Sequence, residues 1–76
     1  MRAYILIEAT IGKARDVARS VKNVAEVSEC YLVTGPFDTI AIVDGDDAIA
    51  VGSVVAEKIH RIPGVARTIT CLAVVG

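Results

Sequence analysis

Val33-Thr34-Gly35-Pro36-Phe37-Asp38 breaks one apolar run and hands the chain at once to another, Thr39-Ile40-Ala41-Ile42-Val43. Glycine admits positive φ, while proline fixes φ and supplies no N–H donor, so the Gly35-Pro36 pair turns one strand into the next. A connection this short leaves no room for a crossover helix, and the two strands form an antiparallel hairpin. Glu26 to Thr34 is expected as the strand before the turn, and Thr39 to Val43 as the strand after it.

Toward the N-terminus, Lys13 to Asn23 places Ala14, Val17, Ala18, Val21 and Val24 at helical spacing. Lys13, Arg15, Arg19 and Lys22 fall outside that stripe, as on the solvated face of an amphipathic helix. Before it, the aliphatic and β-branched Ala3 to Thr10 reads as the first strand, ended by Ile11-Gly12. Toward the C-terminus, Asp44, Asp46 and Asp47 cluster where a second helix should begin, since acids accept from free N–H groups and suit the positive end of the dipole. That helix is expected from Asp47 to Arg61 with Val51, Val54, Val55, Ile59 and Ile62 inward, and Pro63-Gly64 stops it. Gly52-Ser53 is expected to let it pack closely on a sheet. Val65 to Val75 closes the chain as a fourth strand.

The two halves repeat at a spacing of 38 residues: Ala3 falls on Ala41, Val17 on Val55, Ala18 on Ala56 and Val27 on Val65, with Val21 meeting Ile59 and Val24 meeting Ile62. Two βαβ units joined by a hairpin give an α+β, ferredoxin-like βαββαβ fold, a four-stranded antiparallel sheet with both helices on one face.

That architecture meets an unusual composition. Of 76 residues, 54% are hydrophobic, with two Tyr, one Phe and no Trp. A domain this small is near the lower limit for a self-sufficient core, and its first and last strands are apolar on both sides. Tyr4 and Leu6 alternate with Ile5 and Ile7, and Ile69 and Cys71 with Leu72 and Val74. The face without helices is therefore expected to pack on another subunit's sheet, giving at least a dimer. No apolar stretch approaches the roughly 20 residues of a spanning helix, and the N-terminus turns acidic too early for a secretory signal. A net charge of −1 argues against gripping nucleic acid, so a cytoplasmic protein without direct nucleic-acid or membrane contact is expected. Cys30 and Cys71 read as reduced core residues. With a lone His60 they do not complete a metal site, and neither a cofactor nor a catalytic residue is expected. His60, beside Lys58 and Arg61 near a helix end, reads as a surface residue. Glu8 is expected in solvent near the strand end or beside a neighbouring chain's Arg.

For function, the hairpin carries two readings. Asp38 can simply accept turn N–H groups, or Thr34, Gly35, Pro36, Phe37 and Asp38 can bind the charged ends of a small ligand at a subunit boundary. Thr68 and Thr70 alternate along the last strand and so point the same way. They are either ordinary strand formers or hydroxyl partners for that ligand.

The order of elements, the Thr34-Gly35-Pro36-Phe37-Asp38 turn and the closing Val65-Ala66-Arg67-Thr68-Ile69-Thr70 strand resemble the effector-binding (RAM) domain of the Lrp/AsnC transcription regulators. That family typically shows Thr-Gly, a variable residue, an aromatic and Asp in the turn, and Phe37 stands here for the commoner Tyr. The resemblance implies a single RAM domain over residues 1–76 and a dimeric α/β-barrel-like association built up into octameric rings. It implies amino acids or related effectors bound between dimers near Thr34 to Asp38, Thr68 and Thr70. It also implies a stand-alone member without a DNA-binding domain, acting on transcription through assembly with a full-length relative. Two alternatives share the strand order. One is a small dimeric ferredoxin-like enzyme, a cofactor-independent monooxygenase or isomerase, which needs a titratable group in a roomy cavity. The other is an ACT-type amino-acid module, with its site at Ile11-Gly12.

Overall fold

The computed structural model describes residues 1–76. The elements are β1 (Arg2–Ala9), α1 (Ala14–Lys22), β2 (Val27–Leu32), β3 (Thr39–Asp44), α2 (Ala48–Val54) running on into a π-helical turn (Val55–Ile59), and β4 (Val65–Leu72). The strands form one antiparallel sheet in the order β2-β3-β1-β4. This is the expected βαββαβ topology. The expected last strand is three residues too long, because Ala73 N–H already donates to the carbonyl of Arg2, the first residue of β1, and beyond that point no neighbouring strand remains.

Alternation divides the sheet cleanly. Ala3, Ile5, Ile7, Cys30, Ala41 and Val43 face the helices and meet Val17 and Val21 of α1 and Val51, Val55 and Ile59 beyond β3, all buried in one cluster. The 38-residue repeat is built into this core. Tyr4 pairs with Ile42, its own counterpart in the second half, so a local twofold axis passes between them. The opposite face carries Tyr4, Leu6, Ile40, Ile42, Ile69 and Cys71 with no layer over it. Tyr4 and Ile69 each keep 39% of their surface exposed. Cys71 departs from the expectation of a core thiol: register places it opposite Tyr4 on the open face, where it is exposed, whereas Cys30 on the helix side is buried.

The helix ends follow local chemistry. Asp47 caps α2 by accepting from Ala50 N–H at 2.8 Å. Lys13 leaves α1 without a side-chain cap, and Asp16 near its start with Arg19 and Lys22 near its end suit the dipole. Gly52 does not seat α2 on the sheet as expected. It is exposed and no atom lies within 4 Å of where a Cβ would stand, because the buried stripe runs through Val51 and Val55. The close approach is at Gly64, where φ is +96° and a Cβ would stand 2.9 Å from Lys13 Cβ and 3.0 Å from Val17 Cγ2. There the α2–β4 corner locks onto the β1–α1 corner, and Thr10 N–H donates to Gly64 O at 2.7 Å.

Candidate functional site

The β2–β3 hairpin stands at the C-terminal end of β1 and beside the start of β4. Val33 N–H donates to Asp38 O at 2.8 Å and Asp38 N–H to Ile7 O at 2.9 Å, which extends both ladders by one rung. Asp38 Oδ2 accepts from Ala9 N–H at 2.8 Å, at the point where the β1–β4 register slips between Glu8 and Ala9. The carboxylate thus supplies a partner for a β1 N–H that lies beyond the last β1–β3 pair, Ile7 with Thr39. Thr34, Gly35 and Pro36 are exposed. Gly35 adopts φ +152°, and the space a Cβ would occupy is empty to 4 Å, so conformation and not crowding selects glycine there.

Phe37 is half-buried, and the guanidinium carbon of Arg67 stands 5.3 Å from its ring centroid. Arg67 Nε is also 3.5 Å from Glu8 Oε1, its cross-strand partner on the open face. Glu8 is half-buried and, within the single chain, pairs with Arg67. The hairpin end of the open face is thus a cluster of Glu8, Phe37 and Arg67 rimmed by the Asp38 clamp.

Thr68 and Thr70 lie on the other side of the sheet, in register with Ile7 and Ile5. They share a face with the core but sit on the edge strand. Thr70 is exposed, and Thr68 Oγ1 is 2.6 Å from His60 Nε2. The π-helical turn sets up this contact: His60 N–H donates back to Val55 O at 2.9 Å as the chain leaves α2. His60, Val65, Ala66, Arg67 and Thr68 line a recess of about 350 Å³ there. The structure therefore joins Phe37 and Asp38 to Arg67 and Glu8, and Thr68 to His60, while Thr70 stands farther along β4 from the hairpin. Gly12, at φ +81°, is in an exposed loop with nothing around it.

A second ion pair closes the far end of the open face. Arg2 Nε and Nη2 hold Asp44 Oδ1 and Oδ2 at 3.0 and 3.3 Å, a two-pronged pairing that lowers the Asp44 carboxyl below its ordinary value and raises the guanidinium. On β2 the Tyr31 hydroxyl donates to Glu29, and losing that proton beside a carboxylate is disfavoured, so the phenol is pushed up. The open face is an apolar band between two charged ends. Nowhere do three or more His, Cys, Asp or Glu side chains converge to hold a metal ion, and no helix is long and apolar enough to cross a membrane.

One covered face, one bare apolar face and a polar hairpin at its end define a ferredoxin-like α+β domain of the kind that presents a sheet. Its residues 2–74 match the Lrp/AsnC ligand binding domain, and the chain belongs to that family. An uncharacterized HTH-type transcriptional regulator of Pyrococcus horikoshii, PH1916, is 33% identical over 61 residues, which are 80% of this chain and 41% of that protein. The chain thus spans less than half the length of this relative. In contrast, the crystal structure of TTHA0845 from Thermus thermophilus superposes with a TM-score of 0.92 at 32% identity, covering 99% of this chain and 94% of the other. The fold also matches the transcriptional regulator NMB0573 from Neisseria meningitidis, solved as a complex with L-Met, at a TM-score of 0.80 and 24% identity over 99% of this chain and 51% of the other.

The hairpin is visible in the sequence because its turn chemistry is local. The parts played by Arg67 and His60 are not, since they depend on pairing across the sheet and on the helix exit. The available signal was a pair of opposite charges, Glu8 and Arg67, set into otherwise apolar strands.

Proposed function

We propose that this chain is an oligomeric, non-catalytic cytoplasmic module that binds a small effector, an amino acid or a related compound, at a subunit boundary. The observation that carries the reading is the bare apolar sheet face with the hairpin at its end. A second copy laid on that face, in a dimeric α/β-barrel-like association, would cover Tyr4, Leu6, Ile40, Ile69 and Cys71 and bring a neighbour's surface up to Thr34, Gly35, Pro36, Phe37 and Asp38. The hairpin backbone then meets the effector's charged groups, and Thr68 and Thr70, which face the other side of the sheet, would reach it only around the β4 edge. Further assembly of dimers into octamers follows the same logic. The L-Met complex of the neisserial regulator supports the choice of amino acids as first ligands to try.

A ligand shared between subunits shifts the association equilibrium toward the assembly it prefers. In this reading operator contact comes through assembly with a full-length, HTH-type relative. Sedimentation together with calorimetry against the twenty amino acids tests this. The expected result is a dimer or larger species at micromolar concentration and heat with at least one amino acid, accompanied by a change in assembly. A stable monomer, or twenty blank titrations without any change in assembly, would overturn it. Thiol labelling gives an independent reading: Cys71 is expected to be protected in the oligomer and to react once it is diluted to monomer.

A further inference from the structure

We infer that Glu8 and Arg67 are the charge-reading pair of the hairpin site, with Arg67 taking a carboxylate and Glu8 an ammonium, so that the ligand class is a zwitterion carrying both groups. This rests on the effector-binding reading above and assigns its polar recognition to two residues outside the turn.

Three observations converge. Asp38, the obvious acid of the turn, is already engaged: its Oδ2 accepts from Ala9 N–H at 2.8 Å, beyond the last β1–β3 pair. A ligand ammonium there would have to share the carboxylate with a part-buried backbone donor. Glu8 is the other carboxylate at this end of the open face, and its side chain keeps 41% of its surface exposed. Arg67, with 57% exposed, is held by two weak restraints that suit it to exchange. Its separation of 3.5 Å from Glu8 is long for a charge-assisted bond. The Phe37 ring 5.3 Å away offers a plate against which a guanidinium stacks while its edge donors stay free.

The hairpin backbone adds a matching set of donors. The N–H groups of Thr34, Gly35 and Phe37 have no partner within the chain, and Pro36 has none to offer. A carboxylate lying between Arg67 and this turn takes the guanidinium fork on one side and backbone N–H groups on the other. Glu8, two residues along the same face from Leu6, is then left to receive the ammonium. The unliganded Glu8–Arg67 pair stands in for the ligand: each residue holds the charge type that the zwitterion would supply. A neutral analogue brings nothing to displace that pair, and an ion of one sign satisfies only half of it.

The test is calorimetry with the amino acid that binds the wild type most tightly, its decarboxylated amine and its des-amino acid. Wild type is expected to prefer the amino acid to both analogues by tenfold or more. Arg67→Gln should lose at least tenfold for the amino acid and the des-amino acid, with Arg67→Lys in between. Glu8→Gln should lose affinity for the amino acid and the decarboxylated amine, and leave the des-amino acid unchanged. The charge-swapped double variant, Glu8→Arg with Arg67→Glu, separates ligand reading from scaffolding, since it restores an ion pair across the same two strands. Loss of binding in a variant with native circular dichroism and unchanged assembly supports the assignment. Wild-type affinity in the swap or in Arg67→Gln overturns it while leaving the effector-binding reading standing. A wild type that binds none of the twenty amino acids overturns both.

Discussion

In the first half of the chain α1 lies close over β2 and shuts Cys30 away from solvent, leaving it 6% exposed. In the second half, the residue 38 positions on is Thr68, half-exposed on an edge strand that α2 stands too far off to cover. The inner residues of the two halves match almost one for one: Ala3 with Ala41, Ile5 with Val43, Val17 with Val55, Val21 with Ile59, all buried. The outer strands do not match. Desolvation pushes the Cys30 thiol up, as expected of a group sealed under a helix, whereas Thr68 turns its hydroxyl to His60. The repeat thus sets the scaffold, and the candidate chemistry collects where the second half departs from the first and at the hairpin joining them.

The sharpest way to break this comparison is to hollow the two halves at matched positions. Ile59→Ala should cost about 2–5 kcal/mol, and its counterpart Val21→Ala, which removes one carbon fewer, about 1–3 kcal/mol, both read by urea unfolding. A loss at Val21 equal to that at Ile59 would mean that the half with the closer helix is also the more tightly packed. Glycine substitutions come next. Gly64→Ala combines a left-handed backbone with close contacts, 2.9 Å to Lys13 and 3.0 Å to Val17, and should cost about 1–3 kcal/mol. Gly35→Ala meets no neighbour and should cost less, since only the conformational part remains. Equal losses would deny that the corner at Gly64 is where the halves lock.

The smallest effect is electrostatic. Arg2 and Asp44 tie the start of one half to the strand of the other, and the carboxyl is held below its ordinary value. Its stabilisation is therefore present above about pH 4 and is lost as pH falls through the folded-state value. Thermal melts of Asp44→Asn should lie slightly below wild type at neutral pH and converge with it in acid. A gap that persists in acid would assign the loss to hydrogen bonding and not to charge.

The parts of the molecule legible in the sequence are those governed by near neighbours. Gly35-Pro36 announces the hairpin, the spacing of Val17 and Val21 announces α1, and Asp47 caps α2 as its position suggests. What is not legible depends on registers between distant strands. Glu8 meets Arg67, and Tyr4 meets Cys71, only through the β1–β4 pairing, where a slip of one residue would send every side chain to the other face. The slip between Glu8 and Ala9, and the bond from Ala9 N–H to Asp38, leave no local mark. The π-helical turn that delivers His60 to Thr68 is equally silent, because Val55 to Ile59 keeps a helical apolar spacing throughout. Gly52 misleads for a related reason: it lies one position off the buried stripe, and small size says nothing about which way a residue faces.

The placing of β1 in the middle of the sheet has a consequence for biosynthesis. Within this domain β1 is made first, yet it lies between β3 and β4, and β4 is the last of the elements to be made. Until β4 emerges from the ribosome, β1 has one flank unpaired and Gly64 has not yet met Lys13. The nascent chain must therefore carry an open, aliphatic strand through the synthesis of every other element and close it in a single late step. What the domain meets in that interval, a chaperone or another unfinished copy, is met by the same strand that will become its centre.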